Sequence, residues 1–287
     1  MRETRAQSAM EYLMTYGWAI LIIAVVLAVL FTLGVFNAGT YGGRAHAGSC
    51  TVQRPYGPNT TQLVSLSGVC NGQLPQFVGS FLTNRNISIS SLSGLGTGQV
   101  TFTAWVNVET GAASGERLLS VGETSGTGFF VVVPSGSSTV RFWVNTAAGV
   151  NDADASFPGY GRWMFVSGTY NGASIVAYEN GTAGTPTSVS STMNTPTSGT
   201  SIGSNNAGLY FCNCLISNIQ IYNTALTAND IKAIYLEGIG GSPINLQNLV
   251  GWWPLNGDAV DYSGNGDNGA ISNVIWTSQW TNGYVQP

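Results

Sequence analysis

The sequence predicts an N-terminal apolar α-helix followed by an all-β antiparallel sandwich with one short helix. Three observations predict this. Residues 17–36 form a run of 20 residues without charge or proline. From about residue 79, short segments rich in β-branched and aromatic residues alternate with Gly- and Asn-containing turn signals. Near the end, Thr227-Ala-Asn-Asp230 opens a helical pattern in the manner of a capping box.

The first element is the apolar run. As a helix it reaches about 30 Å, the thickness of a bilayer core. Its apolar residues surround the helix, so burial is required on all sides, in lipid or in a protein bundle. Arg2 and Arg5 precede it, and no basic residue follows until Arg44. That bias places the N-terminus in the cytoplasm and the bulk of the chain outside. A secretory signal has a shorter apolar region that ends in a small-residue cleavage site; here the run ends in Phe36-Asn37-Ala38-Gly39. Glu11 sits at the mouth of the run, where a plain anchor gains nothing from a carboxylate beyond a place among the headgroups.

Residues 41–78 read as a linker or neck. Gly42, Gly43, Gly48, Pro55, Gly57 and Pro58 interrupt any periodicity. All four cysteines follow the apolar run: Cys50, Cys70, Cys212 and Cys214. An even count in an exported chain favours disulfides, with three connectivities open. Cys50–Cys70 is the favoured pair, because it staples a loop rich in Pro, Gly and polar residues. Cys212 and Cys214 share a face of an extended chain, and bonding them requires a local turn. Long-range pairs remain open. One histidine, His46, with a C-x-C lacks the spacing of structural zinc.

The β-region spans residues 79–238. VTFTAWVNV (100–108), GFFVVV (128–133), TVRFWVN (139–145), WMFVSGTY (163–170) and ASIVAYENG (173–181) read as strands, with Asn171-Gly172 and Asn180-Gly181 as turns. This spacing argues for a sandwich. Trp105, Trp143 and Trp163 lie in these strands and are expected in the core. IKAIYLEG continues the capped helix, with Gly238 as its stop. Residues 239–287 either complete the sandwich or begin a truncated second copy. They are few for an independent β-domain, so packing on the sandwich is expected, with Trp252, Trp253, Trp276 and Trp280 serving that packing or one of them stacking on sugar.

Two stretches resemble known families. MRETRA followed by QSAMEYLMTYGWAILIIAVV resembles the class III signal peptide of archaeal type IV pilin-like proteins. The resemblance implies that a membrane peptidase cuts between Ala6 and Gln7, so that residues 1–6 are a leader and 7–40 a retained hydrophobic helix. Glu11 then becomes the fifth residue of the processed chain. It pairs with the new ammonium at Gln7 of a neighbouring subunit as helices bundle. A buried carboxylate without a partner costs several kcal/mol, so pairing also penalises a wrong register. The second resemblance lies in GRWMFVSGTYNGASIVAYENGT and LISNIQIYNTALTANDIKAIY. These are similar to the tryptophan-led hairpin, and to the last core strand with its following helix, of concanavalin A-like, laminin-G-type jelly rolls. LVGWWPLNGDAVDYSGNGDNGAI resembles a strand and loop that usually precede that domain. The family implies two curved antiparallel sheets and a ligand site on the concave face or rim.

Candidate chemistry is sparse. The sandwich contains no histidine for a Ser-His-Asp arrangement. No cluster of carboxylates is evident along one strand, as glycoside hydrolysis requires. Glu179 stands alone near a turn, and Asp152 and Asp154 lie in a loop-like stretch, NDADASFPGYG. An enzyme is therefore not expected. Asp261, Ser263, Asn265, Gly266 and Asp267 space oxygen atoms as calcium loops do, yet Ser272 stands where an EF-hand has its bidentate Glu. A glycine-rich turn with Asx caps has the same sequence. Asp152 and Asp154 are a second candidate calcium site, at a rim. Asn59, Asn86 and Asn180 open N-x-S/T sequons for glycosylation, a pattern that also arises by chance in a chain so rich in Asn, Ser and Thr.

Only 8% of residues are charged and the net charge is −4, without a basic tract, which excludes nucleic acid as a partner. Few charges and a surface of hydroxyls and amides suit an extracellular protein. The expected role is a pilin-like subunit of a cell-surface filament, held in the membrane before assembly. Its partners are other subunits, the processing peptidase, and glycans or surface polymers bound by the head. An uncleaved single-span binding protein and a purely structural surface protein are the alternatives.

Overall fold

The structure, a computed structural model, describes residues 16–29, 50–57, 64–70, 73–82, 84–96, 98–135 and 138–287. The processing and assembly residues Ala6, Gln7 and Glu11, together with His46 and Asn59, lie outside these residues. The chain divides into two compact units, residues 1–45 and 46–287.

In the first unit, residues 16–29 form helix α1, and every one of them is exposed. Among the described residues no helix is long and apolar enough to cross a membrane; residues 30–36 of the apolar run lie outside them.

The second unit is all-β apart from one short α-helix and two 3-10 turns among the described residues. Its strands are β1 (Thr51–Gln53), β2 (Ser65–Ser67), β3 (Val78–Phe81), β4 (Asn86–Ile89), β5 (Val100–Val108), β6 (Arg117–Val121), β7 (Phe129–Ser135), β8 (Thr139–Thr146) and β9 (Gly149–Ser156). There follow β10 (Trp163–Tyr170), β11 (Ser174–Glu179), β12 (Thr182–Ala183), β13 (Thr187–Ser188), β14 (Thr200–Ile202), β15 (Cys214–Tyr222), helix α2 (Ala228–Leu236), β16 (Leu249–Trp253), β17 (Ala270–Ser272) and β18 (Ile275–Thr277).

Among the described residues, β1 and β2 form a small ribbon and the others form two larger sheets. A nine-stranded sheet runs β12-β11-β10-β5-β15-β3-β18, with β13 beside β11 and β16 beside β15. A seven-stranded sheet runs β17-β4-β14-β6-β7-β8-β9. Among the described residues every pairing between these strands is antiparallel. Strands after residue 239 thus join both sheets: β16 and β18 the larger one, β17 the smaller.

Strand alternation builds the core between the sheets. Val100, Phe102, Ala104, Val106 and Val108 of β5 point into it, as do Val140, Phe142 and Val144 of β8. The opposite side of β5, with Trp105, faces a second apolar layer outside the nine-stranded sheet. There Ile231 and Ile234 of α2, Val52 of the neck, and Trp252 and Trp280 cover Trp105, Trp163 and Phe165. Helix α2 begins at Thr227, whose hydroxyl accepts from Asp230 N while the Asp230 carboxylate accepts from Thr227 N. This reciprocal cap satisfies two otherwise orphaned donors. Gly238 follows the helix with φ 80°, a conformation glycine adopts without strain.

The turns follow the same logic. Asn180 and Gly181 have φ 50° and 73°, the type I′ pattern that matches strand twist in a two-residue hairpin. Cys50 bonds Cys70, and Cys212 bonds Cys214. The second pair has its Cα atoms 5.4 Å apart, within the range a disulfide needs.

Candidate ligand face on the seven-stranded sheet

The register of β6 to β9 sets two rows of side chains on the outward face of the seven-stranded sheet. Ser120 pairs with Phe130, Phe130 with Trp143, and Trp143 with Asp152. Beside this row, Arg117 pairs with Val132, Val132 with Arg141, and Arg141 with Asp154.

The rows interlock through ring faces and charge. The Arg117 guanidinium lies 4.7 Å from the centroid of Phe130 and 4.9 Å from that of Tyr210. Phe130 stacks on Trp143 with centroids 5.5 Å apart and planes 13° from parallel. Arg141 sits 5.3 Å from the Trp143 ring. Alternating cations and aromatic faces attract through the ring quadrupole, so the five side chains hold one another in place.

Both ends of the ladder are anchored. Arg141 binds Asp154 in a two-pronged contact, Nε to Oδ1 at 2.6 Å and Nη2 to Oδ2 at 2.7 Å, and its Nε is also 3.2 Å from Asp152 Oδ2. The Asp154 hydrogen bond raises the Arg141 pKa. Burial pushes the Asp152 carboxyl above its ordinary range; Arg141 opposes that shift and Asp154 adds to it. At the other end, Glu123 Oε1 accepts from Arg117 Nε at 2.8 Å.

The loop from β14 to β15 covers the remainder of this face. Ser120 and Ser201 are buried beneath it, and Asn206 accepts from the Ser120 hydroxyl and from Glu123 N. Asn205 Oδ1 accepts from Ala207 N and Leu209 N, which fixes the tip. Leu209 and Tyr210 at that tip are each 57% exposed. Tyr210 has φ 55°, unusual for a bulky residue. Its carbonyl accepts from Arg117 N at 2.8 Å, which holds the ring over the guanidinium. Two buried polar atoms here have no hydrogen-bond partner: Trp143 Nε1, a donor, and Glu123 Oε2, an acceptor. The face therefore presents Tyr210 exposed and Trp143 half-buried, with Phe130 buried between them.

A sequence profile described as the concanavalin A-like lectin/glucanases superfamily matches residues 81–232. The chain belongs to this superfamily. Among solved structures, the lectin-like sandwich is similar to a proposed carbohydrate binding protein from Bacteroides ovatus (TM-score 0.57, 16% identity), covering 76% of this chain and 64% of that one. The chain thus spans less than two thirds of that protein's length. It is also similar to the heptameric SAP-like pentraxin of Limulus polyphemus (TM-score 0.50, 16% identity), covering 71% of this chain and 95% of that one. At such identities the likeness shows the fold alone. No curated protein matches the sequence.

Several sequence expectations change within the lectin-like sandwich. Residues 149–156 are not a loop but the edge strand β9. Ala153 and Ala155 turn inward and Asp152 and Asp154 outward, so two carboxylates do share a strand face. Trp143 is not in the core; Phe142 and Val144 take the inward positions and Trp143 joins the ladder.

The residues of the predicted calcium loop are engaged in hydrogen bonds within the fold. Asp261 Oδ1 accepts from Trp252 N and Ser263 N, and its Oδ2 accepts from Ser263 Oγ, Gly266 N and Asp267 N. Five donors fill the capacity of one carboxylate. Asn265 donates to Leu249 O and Val250 O, and Asp267 accepts from Ser93 N and Oγ. Arg54 brings its own cation to the loop, with Nε donating to Ser263 O at 2.9 Å. The loop is a self-capped turn that locks the C-terminal strands to the neck. Asp152 and Asp154 are both paired with the Arg141 guanidinium. Among the described residues no group of three or more His, Cys, Asp or Glu is placed to hold a metal ion.

The sequon amides that are described are both engaged within the fold. Asn86 donates to Ser88 Oγ and Ser201 Oγ. Asn180 accepts from Phe165 N and donates to Glu179 Oε1.

Sequence reasoning missed Arg117, Glu123, Phe130, Arg141 and Tyr210. A signal existed for Arg141: in TVRFWVN the alternation places Arg141 and Trp143 on the face opposite Val140, Phe142 and Val144. Nothing local links Arg117 to Tyr210.

Proposed function

We propose that the lectin-like head binds glycans through the outward face of β6 to β9, and that the chain is a pilin-like subunit displaying this head at the cell surface. The observation that carries the binding reading is the preordered ladder of Tyr210, Arg117, Phe130, Trp143 and Arg141 on an open sheet face. Aromatic faces suit the C–H faces of sugar rings. The exposed Tyr210 at the rim of the ladder adds a hydroxyl able to meet sugar hydroxyls. Membership of a lectin-containing superfamily supports the same reading.

A binder is favoured over an enzyme. Both oxygens of Asp154 are occupied by a two-pronged guanidinium contact, unlike the open pair of carboxyl groups that glycoside hydrolysis needs.

The assembly reading rests on Ala6-Gln7, on Glu11 and on the apolar run. Processing at Gln7 creates the ammonium that a neighbouring Glu11 pairs with, and the retained helices bundle into a filament core. The membrane holds the subunit beforehand, and the processing peptidase and other subunits are its partners there. In this reading calcium is not required.

Two experiments test the two halves. Binding of the head, residues 46–287, to a glycan array is expected; a folded head that binds no glycan leaves a purely structural surface protein. A chain beginning at Gln7 is expected in cell envelopes by intact mass and N-terminal sequencing; a chain still beginning at Met1 leaves an uncleaved anchored binder.

A further inference from the structure

A cleft lies on the other side of the sandwich, where α2 and the C-terminal segment roof the nine-stranded sheet. It has a volume of about 220 Å³. Trp105, Trp163 and Tyr235 line it with aromatic surface, and Arg162, Asn180 and Gln286 line it with polar groups.

Its walls are held in place before any ligand arrives. Trp163 Nε1 donates to Trp280 O at 2.7 Å, and its ring meets Trp280 edge to face. Trp105 lies nearly parallel to Tyr235, with centroids 5.9 Å apart, and meets Tyr284 edge-on at 5.5 Å. Tyr284 is tied back by accepting from Ile239 N. The chain around Arg162 is fixed on both sides: Gly161 N donates to Val108 O and Trp163 N donates to Gly283 O. A preordered site lowers the entropy lost on binding.

Asn180 is engaged within the fold, whereas the other two polar groups are unused. Arg162 is exposed, and among the described residues its guanidinium forms no ion pair or hydrogen bond. That sets it apart from Arg54, Arg117 and Arg141, each held by carboxylates or carbonyls. The Gln286 amide likewise makes no hydrogen bond within the described chain. Trp105, 2% exposed, has its indole nitrogen buried without a partner.

We infer that this cleft is a second ligand site and that it takes a single carboxylate-bearing sugar unit. The carboxylate pairs with Arg162, the ring lies against the aromatic wall, and a hydroxyl meets the Gln286 amide. A neutral apolar molecule leaves the guanidinium unused. A bare inorganic anion leaves the three aromatic walls unused. Lys232 Nζ lies 4.4 Å from the Tyr235 ring centroid and adds positive charge beside the cleft, which also favours an anionic ligand. The site does not depend on the ladder, which lies on the outward face of the other sheet.

The test uses full-length protein in detergent micelles and saturation-transfer NMR. Glucuronate, glucose and acetate are titrated separately against wild type, Arg162→Gln and Trp143→Ala. Saturable binding of glucuronate is expected, weakened about tenfold in Arg162→Gln, the scale of one charge-assisted contact, and retained in Trp143→Ala, which removes only the ladder's share. Glucose is expected to bind about tenfold more weakly than glucuronate, and its binding to be the same in wild type and Arg162→Gln. Absence of glucuronate binding, acetate binding as tightly as glucuronate, or glucuronate affinity unaffected by Arg162→Gln each overturns the inference. Loss of glucuronate binding in Trp143→Ala overturns it too, by moving the site to the ladder. A failure of the ladder to bind glycans leaves these expectations untouched.

Discussion

Arg141 ties two carboxylates on an edge strand to a tryptophan on the next strand. Removing it leaves Asp152 and Asp154 as like charges two residues apart on one strand face, with no cation opposite. The contact is about one-third exposed, so solvent screens much of its Coulomb energy. Arg141→Ala is expected to cost on the order of 1 kcal/mol at neutral pH. The loss should shrink as pH falls and the Asp152 carboxyl, its pKa already raised by burial, takes up a proton. Chemical denaturation of variant and wild type at about pH 7 and about pH 4, values either side of carboxylate titration, checks this. A loss independent of pH would mean that Arg141 acts by covering Trp143 rather than by pairing charge. At this scale the sequence revealed little of the site. Arg117 and Tyr210 stand far apart in the chain and meet only because β14, β6 and β7 are adjacent.

At the scale of elements, close approach between the sheets decides what a strand tolerates. Gly168 of β10 faces the core, and a Cβ built there lies 2.2 Å from Phe142 Cγ. Phe142 is fully enclosed and contacts Phe129 as well, so it has nowhere to retreat. Gly168→Ala is expected to destabilise the head by about 1–3 kcal/mol through overpacking, read as a lower denaturation midpoint with an unchanged slope. Little or no loss would show that Phe142 repacks freely. The same strand shows which elements are legible in the sequence. WMFVSGTY declares itself by its aromatic and β-branched residues. So do VTFTAWVNV and TVRFWVN, and the cap at Thr227 declares α2. NDADAS does not, because Ala and Asp are poor strand formers; it is a strand because β8 supplies its ladder partners. Trp143 was misplaced for a related reason. A tryptophan in an alternating strand signals burial by its type, whereas its register assigns it to the open face. The aspartate loop 261–267 has the spacing of a metal loop, and only the hydrogen bonds of Asp261 show that backbone amides take the ligand positions.

Considered as a whole, the head is a low-charge sandwich whose burial of carboxylates points one way. Burial raises the pKa of Glu116, Asp152, Glu179 and Asp267 in every case as the largest cause. The folded state therefore keeps protons that the unfolded chain has released. Stability should rise as pH falls from neutral into the window between the raised folded values and the ordinary carboxylate range, about 4. The expected observation is a higher melting temperature at about pH 5 than at about pH 7; a lower one would show that other ionisations dominate. Its two sheets present two separate faces of aromatic and basic groups. The central claim is that the Tyr210-to-Arg141 ladder is the glycan-binding surface. The direct measurement is the affinity of the best array glycan for the wild-type head and for a Trp143→Ala, Tyr210→Ala double variant whose melting curve shows it folded. The account predicts a loss of about tenfold or more, since each stacked ring contributes about 1 kcal/mol or more. Equal affinity for the two heads would contradict it and place glycan binding elsewhere on the sandwich.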